Sequence, residues 1–471
     1  MIKYIKTALL LLATVVTLGL VTTSCSDSFF DLEPDDQVTG DKVYKTETDF
    51  ELAVNACYSK LQTQMNYYIE MCEYRSDNLT LNAPTAGTQD RYDIDRFNET
   101  SANGILDNMW ENFYNGIYRC NKILDKIDGA DFDVTKKAQF KGEAMFVRAL
   151  TMFNMYRAWG PVPSPRRQLS VEEALRLGRP SEDEIYNYIA GDLELIVNEN
   201  MLPDSYTGND IGRATSGAAK ALLAKVYLTF KKPQQAVNVL NGLMGTYELL
   251  TNIEDVFDVN NKMNREVIFA VRYNKTVVGE GHGAWYSITN LNDDNNRTET
   301  LKHLYDNTGD TRAALLEYVK VPGVNTCLMK KFYDTRDETT RQYGSDNILI
   351  RYADVVLMYA EALNEVSYSS SRESEALKAL NMIRSRAGLN PIDIADVPSQ
   401  DDFRKAVMLE RQKEFPYEGQ RWFDSIRLGG AIDAALSDGK QIQQYQFLYP
   451  IPSSEIERIN NTDLLWQNPG Y

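Results

Sequence analysis

Acid and base groups are densest in one block near the end of the chain. Glu410, Arg411, Glu414, Glu418, Arg421, Asp424 and Arg427 recur at helical spacing around Trp422, with Glu410 and Glu414 one turn apart. Two carboxylates held close together are the equipment of a glycoside hydrolase, in which an acid and a base flank the scissile bond. The interleaved arginines favour another use. A carboxylate with a guanidinium one turn away belongs to an ion-pair network that holds helices together, and that is the role expected of this block.

A second group of residues suits binding. Lys275 to Thr300 has no helical period and carries Trp285, Tyr286, Asn290, Asn292 and Arg297 among Gly279, Gly281 and Gly283. A long polar stretch inside a folded chain is usually functional or disordered. A flat ring stacks on the apolar face of a pyranose while amides and a guanidinium bond its hydroxyls, so this set fits a sugar. It also fits a surface loop anchored by one tryptophan. An earlier polar excursion, Asn82 to Gly104, adds Tyr92, and the segment before it adds Tyr67 and Tyr68, followed by Tyr74, Arg75, Asp77 and Asn78.

Other chemistries find little support. His282 and His303 are far apart and lack a third ligand at zinc spacing, so no cofactor or structural zinc is expected. Asp293 and Asp294 could help hold Ca2+, although the alternation of an EF-hand loop is missing. Phosphate-loop, dinucleotide and nucleophile-elbow patterns are absent. With 50 Lys and Arg against 67 Asp and Glu, the net charge of -17 argues against nucleic acid and anionic lipid surfaces as partners.

The scaffold for these residues is helical. From Asn347 to Leu389, Leu349, Tyr352, Val356, Tyr359 and Leu363 trace one helix face; Ser367 to Ser371 interrupt it, and Ala376, Leu377, Leu380 and Ile383 resume it up to a C-cap at Gly388. This hairpin recurs. Ala214 to Gly242 holds a second, with Pro233 opening its return helix. Phe140 to Trp159 pairs with Glu184 to Val197, where Ser181 and Glu184 form a capping box. A fourth pairs Phe50 to Gln62 with Met109 to Ile127. Such hairpins must stack to bury their stripes, which predicts a mostly α, tetratricopeptide-like solenoid with long irregular loops and few short strands. Trp110, Trp159 and Trp422 fall on its apolar faces and read as core.

The N-terminus reads as an address. Lys3 and Lys6 precede an apolar run from Ala8 to Leu20, too short for a comfortable membrane span. Thr22-Thr23-Ser24 then leads into Cys25, as lipoprotein processing requires, so residues 1–24 are expected to be a signal peptide and Cys25 the lipidated residue. Several acyl chains, at about 0.8 kcal/mol per buried methylene, anchor a protein stably. The remaining cysteines, Cys57, Cys72, Cys120 and Cys327, allow three disulfide connectivities, none of them required in a chain of 471 residues.

From here the chain resembles a known family. CSDSFFDLEP at Cys25, FKGEAMFVRALTMFNMYRAWGPVP (140–163), GRATSGAAKALLAKVYL (212–228), EVIFAVRYN (266–274), IRYADVVLMYAEALNE (350–365), LNMIRSRAGL (380–389), ERQKEFPYEGQRWFDSIRLG (410–429) and the LYPIPSSEIERIN to QNPGY tail (448–471) are similar, in order, to the SusD/RagB family of outer-membrane nutrient-binding lipoproteins of Bacteroidetes. The resemblance implies an N-terminal region (25–230) carrying a ligand-loop insertion and a C-terminal region (231–471), packed as one body. It implies a protein fixed by lipid to the outer membrane, facing the exterior, that binds oligosaccharide and delivers it to a SusC-like TonB-dependent transporter without catalysis. A peptide ligand in the same role is the alternative, and a surface glycoside hydrolase a remoter one.

Overall fold

Thr46 starts the folded body because its hydroxyl accepts the Asp49 N–H while the Asp49 carboxylate accepts the Thr46 N–H, closing a capping box. The computed structural model describes residues 44–81, 83–84, 87–283, 297–320, 322 and 327–471; the expected signal peptide and Cys25 lie outside them. Helix α1 (Glu47–Tyr74) then runs past Gln62, where the sequence pattern was expected to end. Phe50, Val54, Cys57, Leu61, Met65, Tyr68 and Cys72 continue one buried stripe, so no polar break stops it. The excursion that follows contains a short helix of its own, α2 (Gln89–Arg96).

The four expected hairpins are present. Helix α1 packs on α3 (Gly104–Lys126), α4 (Val134–Trp159) on α5 (Glu182–Asn198), α6 (Ser216–Thr229) on α7 (Pro233–Asn241), and, further on, α8 (Tyr352–Val366) on α9 (Glu375–Arg386). Neighbouring hairpins touch through α3 and α4, α5 and α6, and α7 and α8, which buries the stripes that no hairpin covers alone. The Ser181 and Glu184 capping box forms as expected. Ser181→Ala is expected to lower the unfolding free energy by about 1 kcal/mol, measured by urea denaturation. Gly388 takes φ +76° just beyond α9, where the Leu389 N–H returns to the Arg384 carbonyl at 2.9 Å.

One element differs from the periodic pattern. Asn347–Arg351, taken as the first turn and a half of a helix, is instead strand β4, paired antiparallel with β1 (Val267–Val271). Ile348 and Ile350 favour extended backbone, and strand pairing gives the buried amides of the strand partners. A second small hairpin joins β2 (Tyr318–Lys320) and β3 (Cys327–Met329). Helices α10 (Gln400–Glu414) and α11 (Arg421–Leu428) close the C-terminal half.

Trp110, Trp159 and Trp422 are core residues. Trp159 is fully buried, meets the rings of Trp110 and Phe113 edge-on at 5.4 and 6.1 Å, and its indole N–H donates to the Pro450 carbonyl at 3.1 Å. Trp466 departs from its neighbours in the tail: Asn468 is buried and bonded to the Trp159 and Tyr449 carbonyls, whereas Trp466 is 44% exposed beneath the Arg179 guanidinium.

Candidate functional site

The carboxylate block resolves into a closed electrostatic network. Arg351, buried on β4, reaches Glu414 at 2.6 Å, Glu418 at 2.8 Å and Glu266 at 3.0 Å. Arg312 bonds Glu410 at 2.7 Å and Glu414 at 3.0 Å, and Arg386 bonds Glu266 and Glu414. Arg411 bridges Asp354 and Asp424, both at 2.8 Å. Burial alone would raise the Glu414 pKa, but Arg386, Arg351 and Arg312 outweigh it and hold the carboxyl well below its usual range. Glu410 and Glu414 are both buried and paired with arginines, the ion-pair use expected of this block.

Several residues expected at a binding surface belong to the core instead. Tyr68 is 3% exposed, stacked on Phe423 at 6.0 Å with its hydroxyl taken by Arg157; it sits on the buried stripe of α1, which the sequence pattern was read as leaving. Tyr74 is buried, Arg75 pairs with Glu99 under the Phe97 and Tyr449 rings, Asp77 with Arg421 at 2.6 Å, and Asn78 donates to Glu73 at 2.8 Å. Tyr67 lies in α1, its side chain outside the described residues, as are Trp285, Tyr286, Asn290, Asn292, Asp293 and Asp294.

The segment between α1 and the early excursion nevertheless meets the end of the later one. Leu79, just after α1, and Arg297, at the end of the later excursion, form an antiparallel bridge. Beside it the Thr298 N–H donates to the Asn78 carbonyl at 3.3 Å and its hydroxyl to the Asp77 carbonyl. The Arg297 guanidinium donates to the Leu316 carbonyl at 3.3 Å and lies 5.3 Å over the ring of Tyr318. On the early side Asp95 ties the segment down, accepting from the Leu81 N–H and Thr80 hydroxyl at 3.1 Å and from Lys440 at 2.7 Å. Arg96 caps the Leu81 carbonyl at 2.8 Å and covers the half-buried ring of Tyr92 at 5.4 Å. The segments on this brace carry two guanidinium–ring pairs, Arg96 on Tyr92 and Arg297 on Tyr318. Tyr318 escaped notice in the sequence because only the chain crossing places its short strand beside Arg297.

Thr298→Val keeps the shape of the brace and removes its hydroxyl donor. Faster amide exchange at Leu79 and Arg297 is the expected result, at a cost of about 1 kcal/mol.

The two histidines have other partners. His282 is buried with one ring nitrogen 3.1 Å from the Ser345 hydroxyl, and burial lowers its pKa to about 4, which keeps it neutral. His303 is exposed, its pKa raised by its bond to Asp306. No group of three metal-ligating side chains occurs among the described residues. Helices long and apolar enough to cross a membrane are likewise absent among them.

Comparison with known proteins joins these features to a family. A model described as the SusD family matches residues 323–471, and one described as starch-binding, associating with outer membrane, matches 28–228, so the two take in most of the chain. SusD-like protein P2 of Formosa agariphila is 26% identical, with 97% of this chain and 99% of that protein aligned. A SusD-like protein of Bacteroides ovatus is 27% identical over 90% of this chain and 82% of its own length. Among solved structures, a laminarin-binding SusD-like protein has a TM-score of 0.74 at 25% identity, covering 91% of this chain and all of that one. Surface glycan-binding protein A from Bacteroides thetaiotaomicron has a TM-score of 0.76 at 21% identity, covering 90% of this chain and 99% of its own.

Proposed function

The chain belongs to the SusD family, and from that premise we propose that it is a lipid-anchored glycan-binding protein of the outer membrane. Residues 1–24 direct export, Cys25 carries the lipid, and the folded body faces the exterior. It captures oligosaccharide and delivers it to a SusC-like TonB-dependent transporter. Binding rather than catalysis is the role assigned to it, and Glu410 and Glu414 are bonded to arginines inside the protein.

The observation that carries the binding role is the bridge between Leu79 and Arg297, which joins the segment leading into the early excursion to the end of the later one. Trp285 and Tyr286 are the residues proposed to stack on sugar rings, with Asn290, Asn292, Arg297 and Tyr92 bonding hydroxyls. A sugar exchanges water for protein at each hydroxyl with little net gain, so affinity is modest and rests mainly on the rings. The laminarin-binding relative makes laminarin the first ligand to try.

Calorimetric titration of the protein with laminarin, other plant, host and microbial glycans, and a peptide digest tests this. Saturable binding of one glycan class is the expected result. Binding of peptides alone would replace the glycan by a peptide cargo and leave the transporter role in place.

A further inference from the structure

Cys57 on α1 and Cys120 on α3 are both fully buried, and the antiparallel packing of their helices brings them to one level. The register is fixed by bonds on either side. Gln64 and Lys60 donate to the backbone carbonyl and side chain of Asn112, at 3.4 and 2.6 Å, and Arg119 donates to the Ala56 carbonyl at 3.3 Å. Gly116 lies between, so close that an added Cβ would meet Gln64 and Lys60. Moving down α1 from Lys60 to Cys57 while moving up α3 from Gly116 to Cys120 keeps the two chains opposite each other, with both thiols unbonded in the structure. Cys72 stands about four turns further along α1, out of reach of Cys120.

We propose that Cys57 and Cys120 are joined by a disulfide in the exported protein, locking the first helical hairpin. The inference rests on the export reading above, since an oxidising compartment preserves such a bond. The oxidant is a protein disulfide of the thiol-exchange class. One cysteine thiolate attacks a donor sulfur, forming a mixed disulfide and releasing a donor thiolate. The second cysteine thiolate then attacks the bonded sulfur of the first and expels the other donor thiolate. The chain gives up two electrons and two protons, and the donor is reduced to a dithiol.

The exchange takes place before the hairpin closes. Burial raises the Cys120 thiol well above its ordinary pKa, and the neighbouring Cys57 adds to this, so little thiolate would exist after folding.

The test uses protein isolated from the cell envelope, denatured without reductant, alkylated with iodoacetamide, digested and weighed. A joined peptide pair containing Cys57 and Cys120, with Cys72 alkylated, is the expected result. Alkyl groups on both Cys57 and Cys120, in protein that labelling of intact cells places at the surface, would overturn the proposal. If labelling instead places the chain inside the cell, the export reading fails. Refolding it with oxidised glutathione then decides the disulfide separately: failure to form the Cys57–Cys120 bond there overturns the proposal too.

Discussion

Glu414→Ala is expected to lower the unfolding free energy by about 3–5 kcal/mol, because it leaves Arg351, Arg312 and Arg386 buried with too few counter-charges. The loss exceeds any one bond in the network, since removing half of a buried pair costs the desolvation of what remains. Chemical denaturation of wild type and variant measures it. A cost below about 1 kcal/mol would mean that water reaches these arginines and that the network is only a surface array.

The same network sets the acid limb of stability. Glu414 is held below its unfolded pKa by its arginines, and Asp354, although burial opposes it, is held down by Lys225 and Arg411. A depressed carboxylate pKa stabilises the fold above the unfolded value of about 4 and loses that contribution as pH falls through the folded one. Wild type is therefore expected to destabilise steeply below about pH 4, and Glu414→Gln to show a shallower acid slope from a lower starting stability. Equal slopes in the two proteins would assign acid unfolding to other groups.

Trp285→Ala is expected to weaken glycan binding by about 2–4 kcal/mol, thirtyfold or more, while leaving the melting temperature unchanged. The reasoning is that of a ring platform. Stacking supplies a contact that water cannot replace, whereas each lost hydroxyl bond is largely made good by solvent. Titration of the variant with the glycan that wild type binds measures it. A lower melting temperature with intact binding would make Trp285 the anchor of a surface loop instead.

Much of the scaffold was legible because helices announce themselves locally. The stripe of α6 and α7, Pro233 at the first turn of α7, the Ser181 box and the Gly388 cap each depend on neighbours three or four residues away. The same locality explains the structural use of Glu410 and Glu414: arginines at helical spacing were visible in the block, although Arg312, Arg351 and Arg386 come from elsewhere.

Where sequence failed, the deciding contacts were distant. Asn347–Arg351 has apolar residues at spacings that a helix also uses, and only its pairing with Val267–Val271 makes it a strand. Tyr68, Arg75 and Asp77 look like a polar, aromatic surface when read in line. Phe423, Glu99 and Arg421, each far away in the chain or on another element, turn them inward.

The sequence by itself determined the hairpins, the charge that disfavours nucleic acid and the resemblance to a family, because periodicity, composition and ordered motifs need no third dimension. The tertiary structure alone decided which tyrosines face the core, that Leu79 and Arg297 are bridged, and that Cys57 on α1 lies opposite Cys120 on α3. Those facts depend on the register between elements, which is set by packing and long-range hydrogen bonds rather than by any local pattern.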